Sequence, residues 1–125
     1  MSNQGVDPAK EAMELEKQFQ ANRRRGANSN VSPMVKKGTV HFMVSAPHAV
    51  MHYRNGEEKL NEPFTGSLAL QLHERTGANA IIHARTTNED PNWDKIGLYK
   101  TRLKELVKDK LMPSYFVLDL SLIHI

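Results

Sequence analysis

At 125 residues, 39% of them hydrophobic, the chain has the size and apolar content of one ordinary domain. It has no cysteine, which excludes disulfides and thiolate metal sites, so any metal has to be held by His, Asp or Glu. No apolar run approaches the roughly 20 residues that span a bilayer, and the first residues lack the pattern of a secretory signal; a cytoplasmic location without a membrane partner is expected.

The formal charge is +3, and much of the excess sits in Arg23, Arg24, Arg25, Lys36 and Lys37. A helix end or linker in water accommodates such a run, so it is read as solvated surface, and a nucleic-acid partner is not expected. Asp7 can cap, and Pro8 begin, one exposed helix that Gly26 ends. Its apolar stripe of Ala12, Met13, Leu15 and Phe19 is thin, which predicts weak docking. Ala27 to Gly38 carries Asn, Ser, Pro and Lys without a period and reads as a linker. Residues 1–37 are thus expected to form a helical, flexible basic tail that packs little on the domain beginning at residue 38.

Thr39 to Ser45 is β-rich and bounded by Gly38 and Pro47, the pattern of a buried strand. Asn55-Gly56 signals a turn. Thr65 to Thr76 places Leu68, Ala69 and Leu72 on one side of a helix, with Gly77 as its stop. Ala78 to Ala84 is the next strand, Ile96 to Lys110 a helix with Leu103, Leu106 and Val107 in register, and Tyr115 to Leu120 a last strand. This alternation predicts an α/β fold, a partial parallel or mixed sheet with crossover helices behind the helical tail.

In such a sheet the ligand site lies beyond the carboxyl ends of the strands, so the loops after Ser45, Ala84 and Leu120 are expected to build it. Ser45-Ala46-Pro47-His48 then puts an imidazole at the mouth, a position that suits a zinc ligand and equally a surface histidine.

The order Ser-Ala-Pro-His at a strand end, Glu62 shortly before Thr65-Gly66 and a helix, Asp90-Pro91-Asn92, then a strand ending Leu118-Asp119-Leu120, resembles the N-formylglutamate amidohydrolase family. The resemblance spans Val40 to Leu120, about two thirds of the chain. It implies an incomplete zinc-carboxypeptidase-like fold, a zinc cofactor held by His48 and Glu62, and hydrolysis of the amide bond of a small N-acyl amino acid, with zinc polarising the scissile carbonyl. Glu57 and Glu58 compete with Glu62 for the second ligand. Arg85 and Asn92 are implied substrate-binding residues, although Trp93 stands where many members of the family have Arg, and Arg85 is also explicable as surface.

The family continues Asp-Leu-His-Gly, and that His completes the zinc site, whereas Ser121 follows Leu120 here. Residues 121–125 read as a non-native readthrough at the end of a truncated fragment, so His124 is not taken as the displaced ligand and no residue is assigned as catalytic. The chain is expected to bind zinc weakly and to be inactive. The alternative is a small non-catalytic α/β binding module with a basic tail. His41, His52, His73 and His83 carry no motif support.

Overall fold

The computed structural model describes residues 7–87, 97–108 and 116–120. In chain order the elements are α1 (Pro8–Arg24), β1 (Met34–Lys36), β2 (Phe42–Ala46), β3 (His52–Arg54), β4 (Glu57–Lys59), α2 (Thr65–Thr76), β5 (Asn79–Ile82), α3 (Leu98–Lys108) and β6 (Phe116–Asp119). The Asp7 side chain caps α1 by accepting from the Ala9 N–H at 2.9 Å. Gly77 stops α2 with φ at 77°, a left-handed conformation that glycine adopts without a Cβ penalty.

The main sheet is mixed, in the order β1-β5-β2-β6. The strands β5, β2 and β6 run parallel, and β1 pairs antiparallel with β5. Because side chains alternate along a strand, β2 and β5 present two different faces. Val44, Ala46 and Ile82 pack with Ala69 of α2 and with Phe19 of α1, while Met43 and Ile81 pack with Tyr99 and Leu106 of α3. Helices therefore cover both faces, the arrangement of an α/β protein. Tyr99 ties the α3 layer to two strands at once, through a 2.8 Å contact with the Ser45 hydroxyl and a 2.9 Å bond donated to the Ile81 carbonyl. Burial pushes the Tyr99 phenol well above its ordinary range, so it remains a neutral donor.

The chain leaves central β2 for β5 on one side and later arrives at β6 on the other. That reversal makes the carboxyl end of β2 the topological switch point of the sheet, where α/β proteins place their ligands.

The N-terminal segment differs from its sequence expectation. Phe19 is fully buried, and a Cβ added at Gly66 would lie 2.7 Å from its ring, so α1 and α2 touch at a point where only glycine fits. Glu16 is also buried, against the first turn of α2, where Phe64 offers no side-chain cap. Its carboxyl has no partner of full hydrogen-bond geometry among the described residues, and desolvation raises its pKa; the neighbouring Phe64 and Ser67 backbone groups and the Ser67 hydroxyl oppose the rise. The thin stripe is supplemented by polar contacts, since Gln71 of α2 donates to the Pro8 carbonyl at 2.9 Å and Arg75 to the Glu11 carboxylate at 2.9 Å. Within the expected linker, Met34–Lys36 adds the edge strand β1, with Met34 opposite Ile82. The Asn55-Gly56 turn joins the β3–β4 hairpin, whose strands sequence reasoning left unassigned.

Candidate functional site

The residues that follow β2 fold back against the loop preceding α2. The Glu62 N–H donates to the His48 carbonyl at 2.8 Å, and the Thr65 hydroxyl donates to the Glu62 carbonyl at 2.8 Å. These bonds bring two side chains from separate loops together. His48 Nδ1 lies 2.8 Å from Glu62 Oε1, with both residues buried. The His52 ring stacks on the His48 ring, with centroids 3.8 Å apart and planes 10° from parallel, which restricts rotation of the imidazole.

Asp119, opposite Ser45 in the β2–β6 register, lies within electrostatic reach of the pair. Desolvation raises its pKa; the Ser45 hydroxyl and His48 act against the rise, and Glu62 adds to it. Charge on one member of this group is thus felt by the others.

The pair opens into a cleft of about 750 Å³ whose rim carries Arg24, Arg54 and Lys59, with Asn61 and Leu60 beside Glu62. Glu58 also borders it, but its carboxylate is engaged by Arg25 at 2.8 Å and by the Tyr53 hydroxyl at 3.2 Å. The cleft is therefore basic at its rim and carries a His–Glu pair at its wall, a combination suited to an anionic ligand.

Arg24 reaches the rim through an unusual piece of backbone. Asn22, Arg23 and Arg24 all have positive φ, at 56°, 58° and 67°. Left-handed conformations cost non-glycine residues about 1–2 kcal/mol each. Asn tolerates them best, and Asn22 also braces the turn by donating to the Gly26 carbonyl at 2.9 Å. The turn is clamped between the loops following β2 and β5, since the Met51 N–H donates to the Arg24 carbonyl at 2.7 Å and the Thr86 N–H to the Arg25 carbonyl at 2.8 Å.

Of the residues singled out from sequence, His48 and Glu62 meet, whereas Arg85 lines a separate cleft with Asn22, Arg25, Tyr53 and Thr86. Asn92, with Asp90 and Pro91, lies outside the described residues, as do Ser121 and His124. Glu57 pairs with Lys59 at 3.4 Å and Glu58 with Arg25, so neither takes the place of Glu62 beside His48. His52, Arg24 and Asn61 are among the cleft residues that sequence reasoning missed. His52 follows His48 by four positions, a spacing that carries no signal outside a helix, and Arg24 was absorbed into a charge run.

The donor set meets part of what zinc requires. Imidazole nitrogen and carboxylate oxygen are ordinary zinc ligands, and His48 and Glu62 bring one of each together at 2.8 Å. Among the described residues, however, no group of three His, Asp or Glu side chains is arranged to hold a metal ion. No helix among them is long and apolar enough to cross a membrane. No protein-family model, curated protein or solved structure matches the chain.

Proposed function

We propose that the chain carries part of the site of a zinc-dependent amidohydrolase of the N-formylglutamate amidohydrolase type, within an incomplete zinc-carboxypeptidase-like fold, and that its substrate is a small N-acyl amino acid. The observation that carries this reading is the His48 Nδ1–Glu62 Oε1 pair, buried at the switch point of the sheet and facing a cation-rimmed cleft. His48 and Glu62 are the residues that would hold zinc, which supplies Lewis-acid polarisation of an amide carbonyl when bound. His52, stacked on His48, fixes the imidazole plane, and the basic rim draws a carboxylate-bearing substrate toward the pair.

A catalytic zinc site ordinarily uses three protein ligands. With two such ligands among the described residues, the chain by itself is expected to bind zinc weakly and not to turn over. Competition with a chelating dye tests the metal assignment: zinc binding is expected to be measurable and to be lost in His48→Ala. Equal affinities of the two proteins would overturn it. Zinc-dependent hydrolysis of N-formylglutamate by the unmodified chain, abolished by His48→Ala, would overturn the expected inactivity.

A further inference from the structure

Two features of the cleft remain unused by the metal reading. The first is Arg24, whose guanidinium has no ion pair or side-chain hydrogen bond among the described residues although it lines the same cleft as His48 and Glu62. Its backbone is held in a left-handed conformation at φ 67° by the Met51 amide, and Met51 lies three residues beyond His48. Sparsely populated backbone of this kind persists only where its surroundings hold it, and it concentrates at binding sites.

The second feature is Asn61. It is 6% exposed and lines the cleft, and its Oδ1 is buried without a hydrogen-bond partner among the described residues. Its amide nitrogen is directed to the Ala49 carbonyl at 3.5 Å, which leaves the oxygen as an acceptor for something else. A buried acceptor without a donor is costly unless a ligand or water supplies one.

We propose that these residues form the recognition half of the site, with Arg24 binding the carboxylate of an N-acyl amino acid and Asn61 Oδ1 accepting its amide N–H. The assignment rests on the substrate class proposed above and adds the residues that select it. A guanidinium matches a carboxylate in shape and charge, and the orphaned acceptor matches the one donor that an N-acyl group presents. Arg54 and Lys59 share the rim and reinforce the field without providing the same feature. Recognition thus comes from the N-terminal segment and the loop before α2, whereas Arg85 belongs to another cleft.

Binding of N-acetyl-L-glutamate to the metal-free chain, measured by calorimetry or NMR titration, tests this without relying on the metal. Arg24→Gly removes the guanidinium while suiting the left-handed backbone, so the fold is expected to be at least as stable and the affinity to fall about tenfold or more. Arg23→Gly is a matched control, with the same change in charge and the same relief of a positive φ at a residue that does not line the cleft; it is expected to retain most of the affinity. In 2-acetoxyglutarate an ester oxygen replaces the amide N–H, and this ligand is expected to bind more weakly to the unmodified chain.

Absence of saturable binding, or equal losses in the two glycine variants, would overturn the role of Arg24. Equal affinity for the amide and the ester would overturn that of Asn61. Each of these results is independent of whether His48→Ala abolishes zinc binding, so failure of the recognition half is distinguishable from failure of the metal reading.

Discussion

Replacing Phe19 with alanine asks whether the N-terminal helix belongs to the folded unit. The side chain is 0% exposed and sits in the cluster that also contains Val44, Ala49, Val50 and Ala69, so its removal leaves a cavity between α1, α2 and the sheet. Truncating a buried Phe costs about 3–5 kcal/mol, against about 5–15 kcal/mol of total stability for an ordinary domain. With a urea dependence of about 2 kcal/mol/M, the unfolding midpoint is expected to fall by about 1.5–2.5 M. Circular dichroism at 222 nm across a urea series measures it. Met13→Ala is the control, since Met13 is 62% exposed on the same helix and its loss is expected to change stability by less than about 0.5 kcal/mol. A Phe19→Ala midpoint within about 0.5 M of the unmodified chain would refute the docking of α1 and restore the picture of a tail that packs little on the domain.

Gly66→Ala is expected to destabilise by about 1–3 kcal/mol in the same assay, because the new methyl would meet the Phe19 ring at 2.7 Å and the Ala49 Cβ at 2.9 Å. The combined effect with Phe19→Ala is expected to be less than additive, since that change removes the clashing ring. Glu16→Gln is expected to gain stability relative to the unmodified chain as pH rises. Desolvation raises the folded pKa of Glu16 above its ordinary 4.5, so its contribution is fully present below that value and is lost as pH climbs through the raised one. Thermal melts of both proteins at pH 4 and pH 7 measure the difference, and a pH-independent difference would contradict the burial of an ionisable carboxyl there. Ser121→His, at the position where the resembled family has its third ligand, is expected to strengthen zinc binding in dye competition without producing turnover; unchanged affinity would argue against that alignment.

The parts of this fold that were legible in the sequence are those with a strong local cause. The helix Thr65–Thr76, bounded by Gly77, and the β-rich runs around Met43–Ser45 and Ile81–Ile82 follow from periodicity and turn chemistry, and the strand-end rule puts His48 at the mouth of the sheet. What was not legible depends on contacts between distant segments. A thin stripe on α1 gives no hint that Phe19 enters the core, because that depends on Gly66 more than forty residues away. Met34–Lys36 is a strand only because β5 offers an open edge to it. Arg24 looks like one cation in a row until the left-handed turn separates it from Arg23 and brings it to the cleft.

The ring nitrogens of His48 provide the most direct test of the metal assignment. In the metal-free protein the 2.8 Å contact is an Nδ1–H donated to the Glu62 carboxylate, whereas a zinc ion shared by His48 Nδ1 and Glu62 would require an unprotonated Nδ1. Nitrogen-15 NMR of the imidazoles, with His48 assigned by comparison with His48→Ala, follows that proton during a zinc titration. The expected result is loss of the Nδ1–H signal of His48, with its Nε2 becoming the protonated nitrogen, at zinc concentrations that leave Glu62→Gln unaffected. Persistence of the His48 Nδ1–H signal at saturating zinc, or an identical response in Glu62→Gln, would contradict a metal held between His48 and Glu62.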